Sequence, residues 1–480
     1  MKLFKLTLVA AAISAVVSPF TAQAADTEFD NFTPMTGDTT PLNPGSATPY
    51  KLSSPYFSQQ TIADRATQNA LVPGSNSGNF DMITANETGP DAGRYLFMPF
   101  ETSQAGVQRI DLWDSNYNTR TTTIVAPGTQ GFVSGDASRW TPWGGYLTAE
   151  ERWGTGSTKG RLFEISNPTT ATANGANFVQ ETIIPRVSHE GLAFDSNNAL
   201  YFVDELNGGS IYKYVSADPF ASSGADYFAA GQTFALKVGN GGQFEGNNGA
   251  AITGSASWEA ITDADGSALV GISAVLGDGT IDGRVTADTV TATGYNRPED
   301  LEIQTLSSGD QFLYFATTDS DDNGINSDGR GRVYSFNLTT LEVKLFADSN
   351  TIDAATGLAA GGAFSNPDNL AIDSEGNIYI VEDQPGGIED VWFAMDSDRD
   401  GVAESISKWI SLTTDGAEST GLYFDKFDSN KAYINVQHPF DGIDRTIELT
   451  ATAPVPVPGA AWLFGSAILG GLGVTRRKRA

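Results

Sequence analysis

The chain has 480 residues, 40% of them hydrophobic and 10% aromatic, with 58 acidic against 28 basic residues and a formal net charge of −30. That is a globular composition with enough length for a sizeable core, and its charge disfavours nucleic acid and anionic membrane while suiting divalent cations. With no cysteines and only His189 and His438 as histidines, disulfides, thiolate metal sites, cysteine nucleophiles and a three-histidine zinc site are excluded, so any metal relies on oxygen ligands, which favour hard cations such as calcium, magnesium or ferric iron.

Residues 1–24 read as a secretory signal peptide. Lys2 and Lys5 precede an apolar run at 6–17, and Ala22-Gln23-Ala24 forms a small-x-small cleavage site. No twin arginine is present, so export is expected in the unfolded state, with any metal acquired outside the cytoplasm. Residues 25–80 are rich in Thr, Ser, Pro, Gly and Asn and read as an irregular N-terminal extension.

From residue 81 to 450 short strand-like segments recur. A glycine opens "GVQRIDL" at Gly106, "GRLFEIS" at Gly160, "GSIYKYV" at Gly209 and "GRVYSFNL" at Gly331, and "DVWFAMD" from Asp390 fills the same role without one. A second strand precedes several of these: "NALYFVDE" at 198–205, "QFLYFATTD" at 311–319 and "NIYIVEDQ" at 377–384. The interval is about 50 residues, with one about twice as long, so a poorly marked unit is expected near residue 270. Short strands, turn signals and this period predict an all-β fold, a β-propeller of about six blades. Such a fold gathers loops from every blade at one end of a central channel.

Three segments place an acid just before an apolar strand: "RVSHEGLAFD" at 186–195, "NRPEDLEI" at 296–303 and "SNPDNLAID" at 365–373. Their acids are Glu190, Glu299 and Asp368, with Arg186 and Arg297 nearby. Glu87 in "DMITANETGP", Glu150 in "TPWGGYLTAEE" and Glu418 in "GAESTGLYF" occupy similar positions. One such acid alone is ordinarily a salt bridge or a turn cap. The whole set around one axis cannot ionise without compensation, which hard multivalent cations supply; an arginine there then serves an anionic ligand such as phosphate. His189 beside Glu190 either orients a ligand or is a plain turn histidine, and the same two readings apply to His438.

"TPWGGYLTAEE", "SHEGLAFD", "NRPEDLEI", "NPDNLAID" and "YINVQHP" (433–439), in this order, resemble the PhoX-type alkaline phosphatase family over roughly residues 80 to 440. The resemblance implies a six-bladed propeller with an axial cluster of ferric iron and calcium, hydrolysing phosphate monoesters outside the cytoplasm. It implies Glu190 and Glu299 as metal ligands, Glu150 in the same shell, and Arg297 in contact with the phosphoryl oxygens. Glu87 stands where many members have Asn-His-Glu. Where members carry an iron-ligating cysteine before the paired glutamates, this chain has Ala149. The metal set expected is therefore Glu87, Glu150, Glu190, Glu299, Asp368 and Glu418, holding calcium and, in an altered form, iron.

Two further loops are acidic. "DSDRDGVAES" starts like an EF-hand loop at Asp396, Asp398 and Asp400, with Gly401 next and Glu404 in the ninth place; the closing acid is absent, because its position is Ser407. A structural calcium and a solvated turn are both open there. "TTDSDDNGINSDG" at 317–329 reads as a solvated loop or a weak calcium site. At the end, "VPVPGAAWLFGSAILGGLGVTRRKRA" follows a proline motif with a short apolar run and a basic cluster. Residues 454–480 resemble the PEP-CTERM sorting signal, which implies an exosortase-type processing enzyme, transient membrane anchoring and delivery to the surface or matrix of a Gram-negative bacterium. The expected function is an exported phosphatase acting on phosphorylated small molecules. The alternatives are a non-catalytic calcium-binding propeller touching extracellular polysaccharide, and a calcium-dependent lactonase or phytase-like hydrolase.

Overall fold

The runs "LYFV", "FLYFA" and "IYIV" do not alternate because both of their faces are covered. Leu200–Val203, Gln311–Thr317 and Ile378–Glu382 are buried along their whole length. Each is the second strand of an antiparallel meander whose third strand is one of the recurring segments. The computed structural model describes residues 27–37, 48–152, 154, 157–245, 249–318, 331–383, 389–414 and 416–453. The leader at 1–24, the tail at 454–480 and most of the acidic loop at 317–329 lie outside the described residues.

The meanders follow in chain order. The first runs Thr84–Ala85, Tyr95–Pro99, Val107–Asp111, Thr121–Val125, and the second Gly135–Trp140, Tyr146–Glu150, Leu162–Ile165, Phe178–Gln180. The third is Leu192–Phe194, Leu200–Val203, Ile211–Ser216, Gly231–Val238, and the fourth Pro298–Thr305, Gln311–Thr317, Arg332–Asn337, Glu342–Ala347. The fifth is Pro367–Ile372, Ile378–Glu382, Asp390–Met395, Ser405–Leu412. The last joins Glu418–Phe424, Lys431–Gln437 and Arg445–Ala451 to an N-terminal strand, Phe57–Asp64.

Apolar clusters fill the space between successive sheets. Leu147 and Ala149 of the second meet Leu200 and Phe202 of the third, and Val203 of the third meets Leu313 and Phe315 of the fourth. Tyr423 and Tyr433 of the last pack against Leu96 and Ile110 of the first, so the sheets close into a ring. This is a propeller-like all-β architecture.

Two expectations change. Among the described residues no four-stranded meander lies near residue 270. The long interval is an insertion: Gly254–Ala260 bridges the third and fourth sheets, then come a small hairpin of Ala274–Val275 with Ile281–Asp282 and a helix, Gly283–Thr289. The N-terminal stretch is also not wholly irregular, since Phe57–Asp64 is the outer strand of the last sheet and a helix follows at Arg65–Leu71. Its Thr/Gln-rich strand hides its pairing because an outer strand needs only one apolar face.

The repeated glycine before each third strand has a steric cause. A Cβ on Gly209 would lie 1.8 Å from the Asp204 carbonyl oxygen, and one on Gly331 (φ 30°) would meet Thr317 O and Pro367 Cδ at 2.4 Å each. These turns pack directly beneath the end of the ring described below.

Phe29 shows how the N-terminal segment is held. It is fully buried, edge-on to Phe57, Trp409 and Phe424 at centroid distances of 5.4 to 5.5 Å. Its carbonyl accepts from Trp409 Nε1 at 3.1 Å. Phe29→Ala is expected to cost about 3–5 kcal/mol in urea unfolding. A loss under about 1 kcal/mol would mean that the segment is not docked in solution.

Candidate metal centre

Antiparallel pairing sets the start of each inner strand beside the end of the second strand. Gly135 faces Glu150, Pro298 faces Thr317, and Pro367 faces Glu382. Immediately after each of these pairs the inner strand bulges by one residue. The bulges contain Asp136, Glu299 and Asp368, and bulges commonly re-aim side chains in this way. Asp81 and Glu190 precede the first and third inner strands, and Glu418 opens the last.

The other half of the ring comes from the residue just past the second strand: Glu101, Glu151, Glu205, Thr318 and Asp383. These groups converge on the inner-strand acids. Asp136 feels Asp81, Glu151, Glu101 and Asp368. Glu418 feels Asp383, Glu389, Asp368 and Asp81. Glu151 hydrogen-bonds both Glu101 and Glu205.

At the centre, Glu190, Glu299 and Asp368 are buried and each offers an oxygen within 4.8 Å of the others. Thr318 Oγ1 donates to Glu299 Oε1 at 2.5 Å. Arg297 donates through Nε to Glu205 Oε1 at 2.7 Å, and its Nη2 lies 2.6 Å from that oxygen and 3.5 Å from Glu299 Oε1.

Burial first, and neighbouring carboxylates second, hold Asp81, Asp136, Glu190, Glu205, Asp368 and Glu418 well above the usual carboxylate range. Burial likewise pushes Glu101 up to about 8 and Asp383 to about 6. Buried Asp136 Oδ1 has no hydrogen-bond partner among the described residues. Converging hard oxygens and an orphaned buried carboxylate oxygen are what a multivalent cation requires. Glu190, Glu299 and Asp368 could together hold a metal ion.

Two expected ligands, Glu150 and Glu87, and the neighbouring Arg186 stand elsewhere or in different company. Glu150 is buried in an ion pair with Arg161, whose Nε and Nη2 lie 2.8 and 2.5 Å from its oxygens. It also accepts the amides of Val133 and Arg161. Strand alternation turns it away from the axis, and Glu151 takes the place expected of it. Glu87 lies at the opposite mouth, 2.7 Å from Lys426, in a recess of about 190 Å³ that Arg139 and Glu302 also line. Inner strands run from one mouth to the other, so the strand-end acid at the metal end is Asp81, six residues earlier. Arg186 is turned outward to Asp278, Thr280 and the Thr158 carbonyl.

Ala149 is fully buried in the apolar cluster with Ala137, Leu147 and Leu162. His189 is also buried; neither ring nitrogen has a hydrogen-bond partner among the described residues, its ring centroid lies 5.3 Å from that of Phe202, and burial lowers its pKa to about 3. His438 Nε2 lies 3.7 Å from Glu418 Oε2. In the 396–404 loop, Asp396, Asp398 and Glu404 come together as a second metal-sized group. Asp400 instead reaches Lys344 Nζ at 3.2 Å, so the EF-hand-like spacing delivers three of the four expected carboxylates.

The sequence reading missed Asp81, Glu101, Asp136, Glu151, Glu205 and Asp383. The signal that could have found them is the doublet ending three second strands: Glu150-Glu151, Asp204-Glu205 and Glu382-Asp383. The first acid of each is structural. Glu150 accepts Val133 N, Asp204 accepts Ser188 N, and Glu382 accepts Ser365 N, each an amide just before the inner strand of the same sheet. The second acid faces the axis.

The profile of the family described as Alkaline phosphatase PhoX matches residues 128–440. Among solved structures, the chain is similar to Pseudomonas fluorescens PhoX in complex with vanadate, a transition state analogue. Identity is 16% and the TM-score 0.59, covering 86% of this chain and 97% of that one. It is also similar to a Bacteroides thetaiotaomicron protein of unknown function at 13% identity and TM-score 0.41, covering 82% and 76%. No curated protein matches the chain.

Proposed function

The chain belongs to the alkaline phosphatase PhoX family, and from that premise we propose that it is a metal-dependent phosphomonoesterase whose site is the axial carboxylate ring. The observation that carries this reading is the buried triad of Glu190, Glu299 and Asp368 with Arg297 beside it. The meanders count as six blades in this reading. Calcium is the principal cation, because every group offered is a carboxylate or hydroxyl oxygen. Iron bound as in cysteine-bearing members does not fit, since Ala149 offers no ligand atom and faces an apolar cluster. The 396–404 loop takes a separate structural calcium through Asp396, Asp398 and Glu404. Export, processing of the tail and residence at the cell surface complete the proposal.

Bound cations supply Lewis-acid stabilisation of phosphoryl oxygens and a more acidic water. The chain's own residues do the rest. Glu190, Glu299 and Asp368 hold charge at the axis. Arg297, 28% exposed, offers donors to a phosphoryl group while Glu205 and Glu299 fix its plane. Thr318 orients the Glu299 carboxylate through its hydroxyl. Burial of the ring lowers the local dielectric and strengthens each of these interactions.

The test is turnover of a chromogenic phosphate monoester by purified protein supplied with calcium, with and without iron, alongside metal analysis. Arg297→Ala is expected to lower kcat/KM by about 10²- to 10³-fold with metal content unchanged. Protein that is loaded with metal yet inert towards phosphate esters would instead favour the binding-propeller reading.

A further inference from the structure

Arg297 carries an unusual backbone. Its φ is 38°, in the left-handed region that a non-glycine residue enters at a cost. Proline follows it, which restricts the segment further. Something must hold this conformation. On one side the Arg297 carbonyl accepts from Thr318 N at 3.1 Å. On the other, the peptide N–H of Asn296 donates to Glu245 Oε2 at 3.1 Å.

Glu245 belongs to neither the ring of acids nor any strand. It arrives on the loop after Gly231–Val238, and its own amide donates to the Gly294 carbonyl at 3.1 Å. It is completely buried. Its Oε1 accepts from Arg332 Nη1 and from Tyr334 OH, both at 2.6 Å. Arg332 is anchored in turn on the Gly249 carbonyl at 2.5 Å. The Tyr334 ring packs on Tyr295 and Phe315 at centroid distances of 5.2 and 5.0 Å. One carboxylate oxygen is thus fixed by two charge-assisted or short donors, leaving the other aimed at the peptide before Arg297.

A core ion pair between Glu245 and Arg332 alone would leave the Asn296 contact incidental. The arrangement is more specific, because the free side of the Glu245 carboxylate, Oε2, meets the peptide immediately before Arg297 and so reaches the backbone that carries the guanidinium. We propose that Glu245 is a positioning residue for Arg297: it grips the Asn296 peptide and so aims the guanidinium across the ring at the phosphoryl group. The inference rests on the phosphatase reading and extends it to a residue in a separate loop.

The experiment is a double-mutant cycle in the metal-loaded protein, with Glu245→Ala, Arg297→Ala and the double variant. KM for a phosphate monoester, the inhibition constant for orthophosphate, and metal content are measured. Glu245→Ala is expected to raise KM and the orthophosphate constant about 10-fold with metal content intact. In the Arg297→Ala background the same change is expected to have less than about a 2-fold effect, since coupled residues are non-additive. Tyr334→Phe keeps the ring and loosens Oε1, so it covers the case in which Glu245→Ala fails to fold; about a 3-fold rise, also lost in the Arg297→Ala background, is expected. Wild-type protein inert on phosphate esters overturns the phosphatase reading and this inference with it. An active wild type in which the Glu245 and Arg297 effects simply multiply overturns the positioning role alone.

Discussion

Stripping cations with a chelator is expected to abolish phosphate-ester turnover, by at least about 10³-fold, and to leave a protein that loses stability as pH rises from about 4 to about 8. The second half follows from the carboxylates of the ring. Burial raises Glu101 from 4.5 to about 8 and Asp383 from 3.8 to about 6. Asp81, Asp136, Glu190 and Asp368 shift in the same direction. The metal-free folded state therefore holds protons that the unfolded chain has already released. Stability contributed by these groups is present in full below the unfolded values near 4 and is lost as pH climbs through the folded ones. Cations reverse this, since they bind the ionised ring and compete with the protons. Restored metal should raise the melting temperature most at the alkaline end. A chelated protein whose melting temperature is flat or rising between pH 4.5 and 8 would show that the ring is compensated by something other than cations.

The same physics explains how much of the molecule was legible beforehand. The period of about 50 residues and the strands at 107–111, 162–165, 211–216, 332–337 and 390–395 could be read directly, because each third strand must enter beneath a crowded end and carries a fixed local pattern. The insertion between the third and fourth sheets could not. Its length equals that of a repeat, and spacing alone does not distinguish an extra meander from a bridging strand with a hairpin. The N-terminal strand Phe57–Asp64 was hidden for a different reason. It pairs with Arg445–Ala451 almost 400 residues away, a partner that no local signal announces. Glu190, Glu299 and Asp368 stood out in the sequence because each sits where an inner strand begins, and the fold brings the three together. Glu87 misled because it ends the first inner strand rather than starting it, and only the direction of the strand tells the two mouths apart.

The doublet Glu150-Glu151 carries the remaining large expectation. The two residues are chemically identical, and strand alternation alone divides their work. Glu150 is sealed against Arg161 and two backbone amides. Glu150→Ala would take the carboxylate from a largely buried guanidinium, which keeps the Gln130 and Gly131 carbonyls, and is expected to cost about 3–5 kcal/mol, with the kcat of whatever folds staying within about 3-fold of wild type. Glu151 lies against Glu101 and Glu205. Glu151→Gln removes a negative charge from a crowded ring, so the metal-free protein should be no less stable, and more so at alkaline pH. Its cost falls on the cation: metal content drops, and kcat/KM falls by at least about 10²-fold. Urea unfolding, metal analysis and turnover on both variants separate these outcomes. Loss of metal in the Glu150 variant, with full metal and activity in the Glu151 variant, would reverse the assignment and restore the reading in which the first glutamate after Ala149 faces the axis. The alternation of one strand decides which of two adjacent carboxylates faces the axis, and Asp204-Glu205 and Glu382-Asp383 should divide in the same way.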